Sequence, residues 1–180
     1  MSLAGSDTLN ETLEIGDLTV TLLAIDPGRS FKGEKTIGYA LFNGYDWAEI
    51  ERGSLSWEDL VGKLDIRGVD EAIGPWLAFN TYDVYEVVIE DFINNEKSRG
   101  GQRNGTSECI GAVEFACIKA EVPFTRQKPS ILPVAMRHAG YVQKLKHLPH
   151  QDSAYLHGYY YLTAKGVLHP KGLTATLGRT

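Results

Sequence analysis

Three acids in this chain stand where chemistry could be done. Asp26 closes the apolar run "LLAID" and is followed by Pro27 and Gly28; Glu90 closes "VVIE"; Asp152 stands in "HQDSAY" and is the only acid in the last 30 residues. A carboxylate at the end of a buried strand is costly unless a cation or hydrogen bonds meet it. Three converging carboxylates would form an oxygen-only ligand set suited to Mg²⁺ or Mn²⁺. Two such ions roughly 4 Å apart could clamp the attacking water and the leaving oxygen of a phosphodiester. Each acid also has a plainer reading. An aspartate before Pro-Gly suits a turn, Glu90 followed by Asp91 suits a solvated strand exit, and Asp152 near a helix start suits the helix dipole.

The surrounding elements must bring these acids together. "LTVTLLAID", "KTIGYALFNG" and "WAEIERGSL" read as three strands with short links, the second closing at the turn signal Asn43-Gly44, and predict an antiparallel meander. "SWEDLVGKLDIRGVDEAIGPWLAFNTY" predicts a helix capped by Ser56 and broken by its glycines and Pro75. "VYEVVIEDF" is a fourth strand, "CIGAVEFACIKAEV" an amphipathic helix, "PFTRQ" a fifth strand and "PSILPVAMRHAGY" a further helix. "HQDSAYLHGYYYLTAKG" closes as a helix on which Tyr155, Tyr159 and Leu162 form a packing stripe. The order βββαβαβα predicts an α/β fold with a sheet of mixed direction. Residues 1–17 read as a flexible leader, 18–166 as one domain and 167–180 as an irregular tail. Asp26 and Glu90 then end the first and fourth strands, which such folds place side by side, with sites near their carboxyl ends.

At 180 residues, 43% hydrophobic and 23% charged, the chain suits one soluble domain with a sizeable core. Its net charge of −5 conceals an asymmetry. Residues 1–93 carry a balance of −12, whereas 94–150 carry +5, so a basic face compatible with a polyanion is available in the second half. Cys109 and Cys117 read as free thiols of a reducing compartment. No apolar run approaches the roughly 20 residues needed to span a bilayer, and the expected location is cytoplasmic. "GRSFKGEKT" imitates a phosphate-binding loop, but Glu34 intervenes between glycine and lysine and a strand follows where a helix is required. His147, His150 and His157 form no zinc pattern.

"LLAIDPG…TIGYALF", "VVIEDF", "VPFTRQKPS" and the terminal "DSAYLHGYYYL" resemble the RuvC-type Holliday junction resolvases of the RNase H-like superfamily, over roughly residues 20–164. The resemblance implies a five-stranded mixed sheet, three antiparallel strands then two parallel, flanked by helices. It also implies a homodimer acting on branched DNA, and two Mg²⁺ per active site, with Mn²⁺ as a substitute. The family's first-strand aspartate matches Asp26, its fourth-strand glutamate Glu90 and its last-helix aspartate Asp152. The family carries a further acid or histidine three residues before that last aspartate. Here that place is Pro149, and His150, one residue later, is the substitute as ligand or proton carrier, with Asp91 a second candidate ligand. Phe92 loosely matches an aromatic that helps part base pairs. The short C-terminal region resembles a bacteriophage version more than a bacterial one, which would put the protein in the host cytoplasm.

The basic residues near these acids read as phosphate contacts. "NNEKSRGGQRNG" supplies Lys97, Arg99 and Arg103, and "TRQKPS" supplies Arg126 and Lys128, with Arg137, Lys144 and Lys146 further along. Such contacts give salt-dependent binding with little sequence preference. A differently aimed nuclease of the same superfamily, cutting RNA–DNA hybrids or flaps, and a junction-binding protein impaired in catalysis are the alternatives.

Overall fold

The computed structural model describes residues 21–28, 34–44, 46–67, 76–79, 82–91, 105–141 and 148–169. Among these residues its spine is a mixed sheet of seven strands in the order β3 (Glu49–Leu55), β2 (Ile37–Asn43), β1 (Thr21–Asp26), β6 (Tyr82–Glu90), β5 (Trp76–Phe79) and β4 (Asp65–Arg67), with β7 (Phe124–Gln127) pairing β6 off that path. β1 (Thr21–Asp26), β2 (Ile37–Asn43) and β3 (Glu49–Leu55) form the expected antiparallel meander. Trp47, at φ 57°, turns the chain between β2 and β3, where its amide donates to Asn43 O at 2.8 Å.

β1 lies parallel to β6 (Tyr82–Glu90), and β6 is flanked along its second half by parallel β7 (Phe124–Gln127). All six residues of β1 are buried, because both faces of the sheet are covered. On one face Leu23, Ile25, Val87 and Ile89 join Cys109, Ile110, Val113 and Cys117 of α2 (Gly105–Lys119). On the other, Leu22, Ala24, Phe42 and Val88 meet Ala135 of α3 (Leu132–His138) and Ala154, Tyr155, Leu156, Tyr159 and Leu162 of α4 (His150–Ala164). The tyrosine stripe read from the sequence is therefore core, with the Phe42 and Tyr155 rings stacked at 5.6 Å. Both cysteines are free and buried.

One segment departs from the sequence reading. Among its described residues, the stretch that predicts a broken helix forms α1 (Trp57–Lys63) and then two short antiparallel strands, β4 (Asp65–Arg67) and β5 (Trp76–Phe79). Ser56 does cap α1, accepting from Asp59 N at 3.1 Å while Asp59 accepts from Ser56 N. Leu77, Ala78 and Phe79 are all buried, so β5 carries no alternation to distinguish it from a buried helix segment. The five expected strands are thus joined by two more. The leader and most of the tail lie outside the described residues; within the tail, His169 O accepts from Tyr159 Oη at 2.9 Å. Among the described residues no helix is long and apolar enough to cross a membrane.

Candidate functional site

The site lies at the carboxyl ends of the central parallel pair. Ile25 is paired with Ile89, so the next residues, Asp26 and Glu90, end their strands at the same level. Alternation puts Ile25 and Ile89 on the α2 face and turns Asp26 and Glu90 toward α4. The first turn of α4 brings His150 and Ser153 onto the same place, and these residues line one pocket of about 290 Å³ together with Gly28 and Thr106.

Asp26 is only 6% exposed, and its burial is answered by hydrogen bonds. Oδ1 accepts from Gly28 N at 2.8 Å and Oδ2 lies 3.1 Å from His150 Nδ1, while the Ser153 hydroxyl serves Asp26 as well. Burial alone would raise the Asp26 pKa. The hydrogen bond and charge of His150, with the Gly28 amide and Ser153, outweigh it and hold the carboxyl below its ordinary value. Reciprocally, the hydrogen bond to Asp26 holds His150 above its ordinary value against partial burial, with the charges of Asp26 and Glu90 adding to the effect.

The turn after β1 is built for this contact. Gly28 adopts φ +51°, and a Cβ there would stand 2.2 Å from Thr36 O and 2.9 Å from the His150 ring. Thr106 at the start of α2 donates its hydroxyl to Gly28 O, tying that helix to the turn. A second close approach seats α4. A Cβ on Gly38 would lie 2.1 Å from the His150 carbonyl, and one on Gly158 would lie 2.3 Å from the Phe42 ring. The helix rests on β2 through its backbone at both places.

Glu90 meets two side chains from α4. Ser153 Oγ donates to its Oε2 at 3.3 Å, and Nε2 of the fully buried His157 lies 3.3 Å from the same oxygen. His157 Nδ1 faces the Gln127 side chain at 2.9 Å. Asp91 lines the pocket too, but strand alternation sends it to the other side of Glu90, 3.7 Å from Arg126.

Asp152 is the departure. Its Oδ1 accepts from Arg52 Nη1 at 2.9 Å, and it is not among the residues lining the pocket. The physical reason is helical phase: His150, Ser153 and His157 share one face of α4, while Gln151 and Asp152 face β3. The position three residues after His150 on the pocket face therefore holds a serine. Sequence reasoning missed Ser153 and His157, although the 150/153/157 spacing was there to be read.

Arg126 is ion-paired with Glu114 and lies within 5.9 Å of the Phe124 ring centroid; Lys128 is exposed beside it. Arg137 is exposed in the last turn of α3. Phe92, Lys97, Arg99, Arg103, Lys144 and Lys146 lie outside the described residues.

Among the described residues no group of three or more His, Cys, Asp or Glu is gathered closely enough to hold a metal by itself. Asp26 and Glu90, both within reach of the Ser153 hydroxyl, nevertheless suit Mg²⁺, which is commonly held by one or two carboxylates, with waters and substrate phosphates completing its shell.

No protein-family model matches the chain, and no curated protein matches it. Solved structures do. A structure of Thermus thermophilus RuvC in complex with a Holliday junction substrate superposes with a TM-score of 0.53 at 13% identity, covering 84% of this chain and 99% of that one. A second Thermus thermophilus RuvC structure, at the same identity and coverage, gives 0.39. At this identity the first likeness is one of fold: a mixed α/β sheet of the RuvC kind.

Proposed function

We propose that this chain is a metal-dependent endonuclease that cuts branched DNA, Holliday junctions first, by paired phosphodiester hydrolysis. The observation that carries the reading is that Asp26 and Glu90 end adjacent parallel strands at one level, beneath a helix start that adds His150 and Ser153. The fold shared with a junction-bound RuvC supports it. Asp26 and Glu90 would hold Mg²⁺ or Mn²⁺, with His150 beside them. When bound, such an ion supplies Lewis-acid stabilisation of the phosphate and eases deprotonation of the attacking water. Asp26 holds the His150 imidazole through Nδ1, and the half-exposed ring is placed to keep or pass a proton at the pocket. Asp152 would join only by giving up Arg52. The proposed DNA contacts are Lys128 and Arg126, with Lys97, Arg99, Arg103 and Phe92.

Paired nicks call for two active sites related by a two-fold axis, and we assign the pairing surface to the outer face of α2. Phe115 and Ile118 are the most exposed large apolar residues among those described, at 62% and 67%. Glu108, Gly111, Phe115 and Lys119 follow one face of that helix. In an antiparallel pair about its centre, Glu108 of one copy meets Lys119 of the other, and Phe115 lies over the small Ala112.

A second reading, a junction-binding protein without cleavage, is favoured by the withdrawal of Asp152 to Arg52. One experiment separates the readings: cleavage of a labelled immobile four-way junction in Mg²⁺ and Mn²⁺, against duplex, flap and RNA–DNA hybrid. Paired symmetric nicks abolished by EDTA, and reduced about 10²-fold or more in Asp26→Asn, are expected. Tight binding without nicks would establish the second reading, and preferential cutting of hybrid or flap would redirect the enzyme.

A further inference from the structure

Behind Glu90 lies a buried polar pair that the reaction above does not use. Gln127 stands beside Glu90 in the β6–β7 register, and its backbone carbonyl accepts from Asp91 N at 2.7 Å. Its carboxamide oxygen lies 2.9 Å from His157 Nδ1. In that orientation Nδ1 must carry the hydrogen. Nε2 is then a buried atom without a hydrogen-bond partner, its lone pair facing a carboxylate 3.3 Å away. Turning the carboxamide over exchanges its nitrogen and oxygen in the same space. The amide N–H then donates to Nδ1, and Nε2–H faces Glu90 Oε2 across 3.3 Å. A neutral ring then turns a donor toward the carboxylate and an acceptor toward the amide, and no imidazolium has to be buried.

We propose that His157 is a positioning residue, held by Gln127 as its Nε2–H tautomer so that it orients the Glu90 carboxylate. Ser153, one turn earlier on α4, donates to the same oxygen, which leaves Oε1 as the oxygen offered to a ligand. The inference rests on the reading of Glu90 as part of the reaction centre and deepens it. Side chains that orient a metal-holding carboxylate typically govern metal affinity or activity by 10–100-fold.

Two substitutions of similar size separate positioning from packing. His157→Gln keeps an N–H near the Nε2 position, whereas His157→Asn keeps a polar group only near Nδ1. In the full-length protein, His157→Asn is expected to lower both Mn²⁺ affinity, read by calorimetry, and junction cleavage by about 10–100-fold. His157→Gln is expected to stay much closer to wild type in both. Equal losses in the two folded variants, or no loss in either, overturn the proposal. Nitrogen-15 histidine NMR of the wild type, with the His157 signal assigned by its disappearance in His157→Gln, reads the tautomer without metal or DNA. The Nε2–H tautomer supports the relay, and the Nδ1–H or doubly protonated ring overturns it. Wild-type protein that neither takes up Mn²⁺ nor cuts DNA removes the nuclease reading, and the tautomer then decides the relay by itself.

Discussion

Arg52 holds Asp152 against β3: its Nη1 donates to Asp152 Oδ1 at 2.9 Å while its Nε meets Glu49 at 2.8 Å and its guanidinium lies 4.7 Å from the Tyr155 ring centre. An acid so engaged is not a ready ligand. Asp152→Asn is therefore expected to leave junction cleavage within a few-fold of wild type, in the assay where Asp26→Asn loses about 10²-fold or more. A loss equal to that of Asp26→Asn would return Asp152 to the reaction centre and require Arg52 to release it during catalysis.

Gly38 is where β2 admits the backbone of α4. A Cβ there would lie 2.1 Å from the His150 carbonyl and 2.4 Å from Gln151 N. Backbone cannot swing aside as a side chain can, so Gly38→Ala should cost about 1–3 kcal/mol, roughly 2–12 °C in Tm for a domain of this size. It should also reduce cleavage, because His150 moves with the displaced turn. Gly62 in α1 has open space around it, and Gly62→Ala should be neutral or stabilising by up to about 1 kcal/mol. Thermal unfolding of the pair checks both, and equal effects would refute the close-approach argument.

The His150–Asp26 contact carries a pH signature in metal-free protein. His150 is raised from its ordinary 6.5, so its contribution is complete below that value and is lost as pH rises through the folded pKa. Asp26 is lowered from 3.8, so its contribution is present above that value and is lost as pH falls through the folded pKa. The two overlap fully between 3.8 and 6.5. The Tm difference between wild type and His150→Gln in EDTA should peak in that window and shrink toward alkaline pH. A difference that grows with rising pH contradicts the assignment.

On α2, Phe115→Asp should turn a two-copy assembly into a monomer in sedimentation experiments while leaving the monomer folded, since the side chain is 62% exposed. Charge reversal should be rescued by pairing Glu108→Lys with Lys119→Glu in one chain. An assembly indifferent to Phe115→Asp moves the interface elsewhere.

The acids at the strand ends were legible because two apolar runs stop on them, and a buried strand ending in a charge demands a partner. The phase of the last helix was not. Asp152 drew the reading by its residue type, but what decides its role is Arg52, which is 100 residues away in sequence. His157 was equally hidden. Its partners Gln127 and Glu90 belong to strands whose pairing fixes the contact, and neither is near it in the chain. β4 and β5, three and four residues long, offered too little pattern to be separated from the helix before them.

α4 touches the sheet by its own main chain at Gly38 and beside Phe42 at Gly158, and between these two contacts it carries His150, Ser153 and His157. The three side chains therefore cannot drift independently, as groups on separate loops would. They share one rod seated at two points about 11 Å apart along its axis, by the ~1.5 Å rise of each residue between them. Its alignment is governed by the two gaps where a side chain is missing. Precision at the pocket is thus a property of hydrogen atoms on β2 and on the helix, and a single methyl group at either place would spoil the aim of all three.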